Sequence, residues 1–171
     1  MGSYINIGVV GNEDTIIENI LNFIDLIPNF KFYSVCHPSN DKYEEWIELD
    51  NSECTLENAF RFCLENEMAY IISSFSLEDV EIYPVDISME KSLISGVGVI
   101  IKMPDNFIIK NLDNSEKRIE KLLISAKGFN YAFCDSEAHI DDDKYSIYIE
   151  YDEKVYMRYE NWKIDGYTER G

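Results

Sequence analysis

The sequence predicts an α+β fold in which about three helices pack on one side of a mostly antiparallel sheet, in a single domain over residues 1–171. Three observations predict it. Most apolar segments are short and alternate with polar residues as strands do, three segments carry apolar residues at helical spacing, and the strands occur in runs between isolated helices. A chain of 171 residues that is 46% hydrophobic can bury a core, and no linker or repeat divides it.

Helical spacing predicts the three helices. In the first, Ile16, Ile20 and Ile24 share one face, and Asn12 or Asp14 is expected to cap it. Thr55 is expected to cap the second helix and Ser115 the third, and Lys127-Gly128 indicates where the third ends. The predicted inward residues of the second and third helices are Leu56, Phe60, Cys63, Leu64, Ile119, Leu122, Leu123 and Ala126.

The remaining apolar segments predict nine strands. They cover residues 3–10, 30–37, 43–49, 68–75, 80–89, 96–104, 129–135, 144–151 and 154–164. Pro84 favours an edge position for the fifth of these strands, because proline cannot donate a hydrogen bond to a neighbouring strand. Residues 96–104 are apolar enough to lie centrally, and Asp152-Glu153 predicts a hairpin between the last two strands.

Charge is strongly negative and unevenly distributed. The chain has 33 acidic and 15 basic residues, a net charge of -18. Residues 41–90 hold 14 acids against Lys42 and Arg61, a net charge of -12. Such a field repels phosphate backbones and anionic membranes and suits a basic protein partner. A direct nucleic-acid or membrane binder is therefore not expected; acidic charge that merely keeps the protein soluble is the alternative.

Targeting and metal-binding patterns are weak. Met1-Gly2-Ser3 has no basic start, and no window approaches the roughly 18 apolar residues of a membrane span, so we expect a cytoplasmic protein. The four cysteines lack Cys-x-x-Cys spacing and are expected to be buried apolar residues. We therefore expect no metal and no cofactor. Neither histidine lies beside a nucleophile motif, so no catalytic residues and no enzymatic activity are predicted.

Two other segments invite a ligand interpretation. The strand-to-helix junction Gly8–Asp14 has two glycines before a helix, and a small-molecule-binding regulatory module using this junction is the alternative function. A tight turn is favoured there, since the dinucleotide pattern lacks its third glycine and Glu13 and Asp14 would repel a phosphate. His139-Ile140-Asp141-Asp142-Asp143 lacks the glycine and distal glutamate of a calcium loop, which predicts a solvated acidic turn.

Residues 42–57, KYEEWIELDNSECTLE, carry the main functional signal. As a strand, this segment would place Trp46 with Glu44, Glu48 and Asp50 on one face, opposite Tyr43, Glu45, Ile47 and Leu49. Aromatic anchors ringed by charge are typical of protein interfaces, whereas the alternative is that Trp46 packs under the second helix. The predicted partner-binding residues are Tyr43, Glu44, Glu45, Trp46, Glu48, Asp50, Glu53 and Glu57.

A second aromatic and acidic cluster occurs near the end of the chain. It contains Tyr148, Tyr151, Tyr156, Tyr159 and Trp162 together with Glu150, Asp152, Glu153 and Glu160. These aromatic residues fall on both strand faces, so some of them are expected to belong to the core.

YEEWIELD, the acid-rich helix after it and IYIEYDEKVYMRYENW resemble immunity proteins of bacterial polymorphic toxin systems. The opening, YINIGVV with EDTIIENI, is similar to the immunity protein 64 family. The resemblance implies a cytosolic protein that binds and neutralises a cognate toxin domain. Many such toxins are basic nucleases, whose phosphate-binding surface the carboxylates would occupy; a membrane-acting or other non-nuclease toxin stays open.

Overall fold

In the computed structural model, residues 4–39, 45–76, 83–104, 112–151, 155–158 and 168–170 are described. The helices are α1 (Ile16–Ile24), α2 (Leu56–Glu65) and α3 (Leu112–Ile124). The strands are β1 (Tyr4–Gly11), β2 (Lys31–Pro38), β3 (Trp46–Asp50), β4 (Tyr70–Phe75), β5 (Tyr83–Ser92), β6 (Gly96–Pro104), β7 (Tyr131–Ser136), β8 (Ile147–Glu150), β9 (Val155–Arg158) and β10 (Thr168–Arg170).

One antiparallel sheet joins all ten of these strands in the order β10-β9-β8-β7-β1-β6-β5-β4-β2-β3. The predicted α+β class is confirmed, and so is the central position of β6, between β1 and β5. The predicted terminal hairpin is confirmed by the pairing of Glu150 with Val155. β10 was not predicted, because three residues carry too short a pattern to recognise.

The helices α1, α2 and α3 pack on one face of the sheet. Ile20 of α1, Phe60 of α2 and Leu123 of α3 join one core cluster with strand residues such as Ile7 and Ile71. Each of these side chains is at most 1% exposed, so this layer holds most of the apolar burial that stabilises the fold. We call this side the helix face and the opposite side the helix-free face.

The helix-free face is covered in part by the loop 137–145. Its Tyr145 ring stacks on Phe133 with centroids 4.3 Å apart, and Ala138 packs in the same small cluster. The buried Asn6 side chain donates a hydrogen bond of 2.8 Å to the Ala138 carbonyl. This cover reaches β1, β6 and β7, but β2, β3 and β4 lie outside the cluster.

Capping and burial follow the sequence in part. The Thr55 hydroxyl accepts a hydrogen bond from the Asn58 amide at 3.2 Å, so the predicted cap of α2 is confirmed. The caps expected for the other helices are wrong: Thr15, not Asn12 or Asp14, precedes α1, and Ser115 lies inside α3. All four cysteines are buried, as predicted.

The predicted edge position for the strand containing Pro84 is wrong. β5 pairs with both β4 and β6. Pro84 is exposed and is the second residue of the strand, where its missing N–H interrupts little of the ladder.

The second aromatic cluster divides between the two faces, as its alternation predicted. Tyr148 packs with the small cluster on the helix-free face, whereas Tyr151 packs on the helix face and donates a hydrogen bond of 2.6 Å to the Leu123 carbonyl. Tyr159, Trp162, Asp152, Glu153 and Glu160 lie outside the described residues, and the side chain of Tyr156 is not described.

Candidate protein-interaction surface

Strand β3 lies at the end of the sheet and presents most of its side chains to solvent. It pairs with β2, and no described strand pairs with its other side. Trp46 is 45% exposed and Ile47 39% exposed, and Glu45, Glu48 and Asp50 are exposed as well. Charged side chains on an edge strand discourage unspecific pairing with strands of other proteins. The acidic residues here therefore favour partners that carry positive charge.

The alternation predicted for this strand is confirmed. Ile47 pairs in register with His37, whose ring stacks on Phe62 of α2 at 4.5 Å, so Ile47 belongs to the helix face. Trp46 belongs to the opposite face, where its ring lies 6.0 Å from the ring of Tyr70. The alternative in which Trp46 packs under α2 is therefore wrong.

A groove of about 360 Å³ extends this surface along the helix-free face. Its lining includes Tyr70 of β4, Asp86 and Ser88 of β5, and Lys102 of β6. Tyr70 connects the groove to Trp46. The remaining lining residues are Glu67, Met68 and Ala69, which precede β4. Aromatic surface and several polar groups therefore converge on one continuous part of the sheet.

Two acidic residues, Glu67 and Asp86, and one basic residue, Lys102, line this groove. Burial raises the pKa of Asp86, and the nearby Lys102 cation opposes that rise. Burial is also the main cause that raises the pKa of the Cys36 thiol, and the carboxylates of Glu48 and Asp86 raise it further. The carboxylates of Glu48 on β3 and Asp86 on β5 thus both act on the Cys36 thiol. A cationic group of a partner bound there would neutralise their charge.

The predicted partner-binding residues do not form one patch. Trp46 and Glu48 are exposed on the edge strand and Glu45 is exposed just before it, whereas Tyr43 and Glu44 lie outside the described residues. Glu57 is on α2, on the other side of the sheet from Trp46, and pairs with Arg61 at 3.0 Å.

Asp50 and Glu53 hold the turn between β3 and α2. The Asp50 carboxylate accepts hydrogen bonds from the Ser52 amide at 2.9 Å and the Ser52 hydroxyl at 2.6 Å, which lower its pKa. The Glu53 carboxylate accepts from the Asp50 amide at 3.1 Å. These two acids therefore position the surface and contribute charge to it from its border.

Sequence reasoning missed Glu67, Tyr70, Asp86 and Lys102 as members of the surface. A signal was present in β5, where Asp86 and Ser88 alternate with the buried Val85, Ile87 and Met89. Such alternation predicts a strand with one polar face. Alternation does not predict which strands lie beside β5. Those neighbours determine which residues form the surface together.

The glycines of the Gly8–Asp14 junction have structural roles. Gly8 lies in mid-strand against the ring of Phe133, and Gly11 is buried at the end of β1. Glu13 and Asp14 line a separate groove of about 350 Å³ between α1 and α2, together with Glu57 and Arg61. Carboxylates, not glycine amides, therefore face that groove.

The acidic turn 139–143 is exposed at its three aspartates, as predicted, and it also has bonded roles. Asp141 accepts hydrogen bonds from the hydroxyls of Ser92 and Ser95. His139 Nδ1 lies 2.6 Å from a carboxylate oxygen of Glu90. Within the described part of the chain, no three His, Cys, Asp or Glu side chains come together as a metal site.

Comparisons with known proteins give one structural similarity. No family model matches the sequence, and no curated protein matches it. A chain of the crystal structure of the toxic C-terminal tip of CdiA from Pseudomonas aeruginosa in complex with immune protein is similar in structure. The identity is 14%, the TM-score is 0.44, and the match covers 86% of this chain and 95% of that chain. At these values the similarity assigns no function.

None of the described helices is long and apolar enough to cross a membrane.

Proposed function

We propose that this chain is an immunity protein, which binds a cognate bacterial toxin domain and neutralises it by covering its surface. The observation that carries the proposal is the exposed Trp46, 45% accessible on the helix-free face of the edge strand, beside Tyr70 and on the same strand face as Glu48. Large aromatic side chains surrounded by charge are the usual anchors of tight protein interfaces.

The chemistry of the surface favours a basic partner, such as a nuclease whose active site binds phosphate. Glu48 on β3, Glu45 immediately before β3 and Asp86 on β5 would pair with lysines and arginines of the partner and stand where phosphates would bind. Glu44 and Tyr43 precede them in the sequence and belong to the same proposed site. Opposite potentials accelerate association, so binding should weaken as salt rises.

Titration calorimetry tests the proposal. The probe is the C-terminal domain of the protein encoded by the gene immediately upstream of this chain's gene, titrated at low and at moderate salt. We expect one-to-one binding that weakens with salt, and loss of toxin activity at one equivalent. Absence of binding by the unmodified chain at either salt overturns the proposal.

Two pairs of variants locate the site. Trp46→Ala is expected to weaken binding at least tenfold, whereas Leu26→Ala, which removes a 48% exposed apolar side chain just beyond α1, should leave it unchanged. Replacing Glu45 and Glu48 with Gln should slow association, whereas Asp25→Asn combined with Glu137→Gln, the same loss of charge elsewhere, should not. If the site variant and its control changed binding equally, the partner would bind at another part of the protein.

A further inference from the structure

The turn between β5 and β6 exposes two large aliphatic side chains. Leu93 is 107% and Ile94 91% exposed, whereas no other described large apolar side chain exceeds 55%. We call Leu93 and Ile94 the hairpin tip. Adjacent exposed aliphatic side chains on an acidic soluble surface have no role in the fold of the chain, and such surface is typical of interaction sites.

The hairpin tip is held in one conformation by the residues on either side of it. The Ser92 hydroxyl accepts hydrogen bonds from the Ile94 amide at 3.0 Å and the Ser95 amide at 3.2 Å. It donates to the Asp141 carboxylate at 2.5 Å, and the Ser95 hydroxyl donates to the other oxygen of Asp141. Loop 137–145 thus fixes both sides of the turn.

Fixed position lowers the entropic cost of binding. An apolar segment that is already ordered loses less conformational freedom when a partner covers it. Glu90 adds to this order, because its carboxylate accepts hydrogen bonds from the Ile140 amide at 3.0 Å and contacts His139. The hairpin tip is therefore a rigid projection and not a loose loop.

Charge around the hairpin tip selects the occupant. Asp141 touches the turn, the exposed Asp142 and Asp143 follow it, and Lys91 lies 3.9 Å from Glu13. An anionic membrane would be repelled by this rim, and so would a second copy of a chain whose net charge is -18. A protein pocket that is apolar inside and basic at its rim complements both features.

Strand β5 connects the hairpin tip to the groove. Asp86 and Ser88 line the groove, Glu90 holds the loop, and Ser92 holds the turn, and alternation places all four on the helix-free face. Ser92 lies six residue steps beyond Asp86, which corresponds to about 20 Å along a strand. One partner of ordinary interface size, burying about 800 Å² on each side, can span that length.

We infer that the hairpin tip is a second anchor for the basic protein partner, inserted into an apolar pocket of that partner while Trp46 and the groove engage other parts of the partner's surface. The inference rests on the proposed function. It adds a site that charge patterning did not reveal, since Leu93 and Ile94 lie just outside the acidic segment 41–90.

Replacing both Leu93 and Ile94 with Ser tests the inference in the full chain. The probe is again the C-terminal domain encoded upstream, and its binding is measured by titration calorimetry. We expect at least a tenfold loss of affinity with an unchanged thermal midpoint of the free protein, because neither side chain is buried. Ile124→Ser, at a 55% exposed position at the end of α3, is the control and should bind normally.

The outcomes are distinct. Unchanged affinity of the double variant, with normal binding by the unmodified chain, overturns the inference and leaves the proposed function standing. Failure of the unmodified chain to bind overturns both. Co-sedimentation with phosphatidylglycerol vesicles, or self-association in ultracentrifugation, that is lost in the double variant while toxin affinity stays unchanged would also overturn the inference by assigning the tip to another occupant.

Discussion

The ring of Phe133 fills the space that a side chain at position 8 would occupy, so Gly8 and Phe133 form one packing unit on the helix-free face. A β-carbon built on Gly8 would overlap three atoms of that ring. Because Tyr145 stacks on Phe133, the ring cannot move aside without disturbing the loop that covers this face.

Gly8→Ala should therefore destabilise the protein by about 1–3 kcal/mol, the usual cost of overpacking a core. Gly11→Ala is the matched control, because a β-carbon there meets no described atom closer than 3.5 Å. Urea unfolding followed by circular dichroism measures both. Equal midpoints for the two variants would show that the ring relaxes freely.

Asp86→Asn should stabilise the free protein at neutral pH. Burial raises the folded pKa of this carboxyl above its ordinary value of 3.8, so the charged form is disfavoured in the folded state. The unmodified protein therefore loses stability relative to the variant as pH rises from 4 towards 7, and the two converge at lower pH.

Urea unfolding at several pH values checks this difference, with Glu65→Gln, an exposed position on α2, as the control. Asp86→Asn should also bind the toxin domain less well, since it removes a carboxylate from the groove. A variant less stable than the unmodified chain at pH 7 would mean that attraction to Lys102 outweighs burial.

Thiol labelling should separate the four cysteines into two classes. Burial raises the pKa of Cys63 to about 12 and that of Cys134 well above its ordinary value, so these two should react slowly with a disulfide reagent at pH 8. Cys36 and Cys54, 6% and 9% exposed, should react first.

Bound partner should protect Cys36 from this labelling, because its thiol lies beside Tyr70 at the groove. Cys54, buried beside the turn that follows β3, should keep its rate. Mass spectrometry of labelled peptides distinguishes the two. Protection of Cys54 alone would place the partner on the other side of the sheet.

Arg61→Gln should accelerate association at low salt. Arg61 is one of two bases in the acidic segment 41–90 and pairs with Glu57 in an exposed contact, which contributes at most about 1 kcal/mol to stability. Its removal makes the potential more negative without altering Trp46. Stopped-flow rates at low and high salt measure the effect, with Lys127→Gln as the control; an equal gain from the control would indicate net charge alone.

Local patterns in the sequence determined most of the architecture. The alternation in SYINIGVV and the helical spacing of Ile16, Ile20 and Ile24 each reflect one buried face, which a short segment records by itself. The faces of Trp46 and Ile47 followed from the same period of two. The predicted edge position of Pro84 failed because proline restricts its own position in a strand, not the neighbours of the strand.

What tertiary structure alone decided is which segments meet. Trp46 and Tyr70 are 24 residues apart in the sequence. They become neighbours because their strands, β3 and β4, both pair with β2. Asp141 holds a turn 46 residues before it, and Glu57 falls on the opposite side of the sheet from Trp46 although only 11 residues separate them. The sequence determined the charge and the aromatic residues; the order of strands, set by long-range packing, determined the surface that they form.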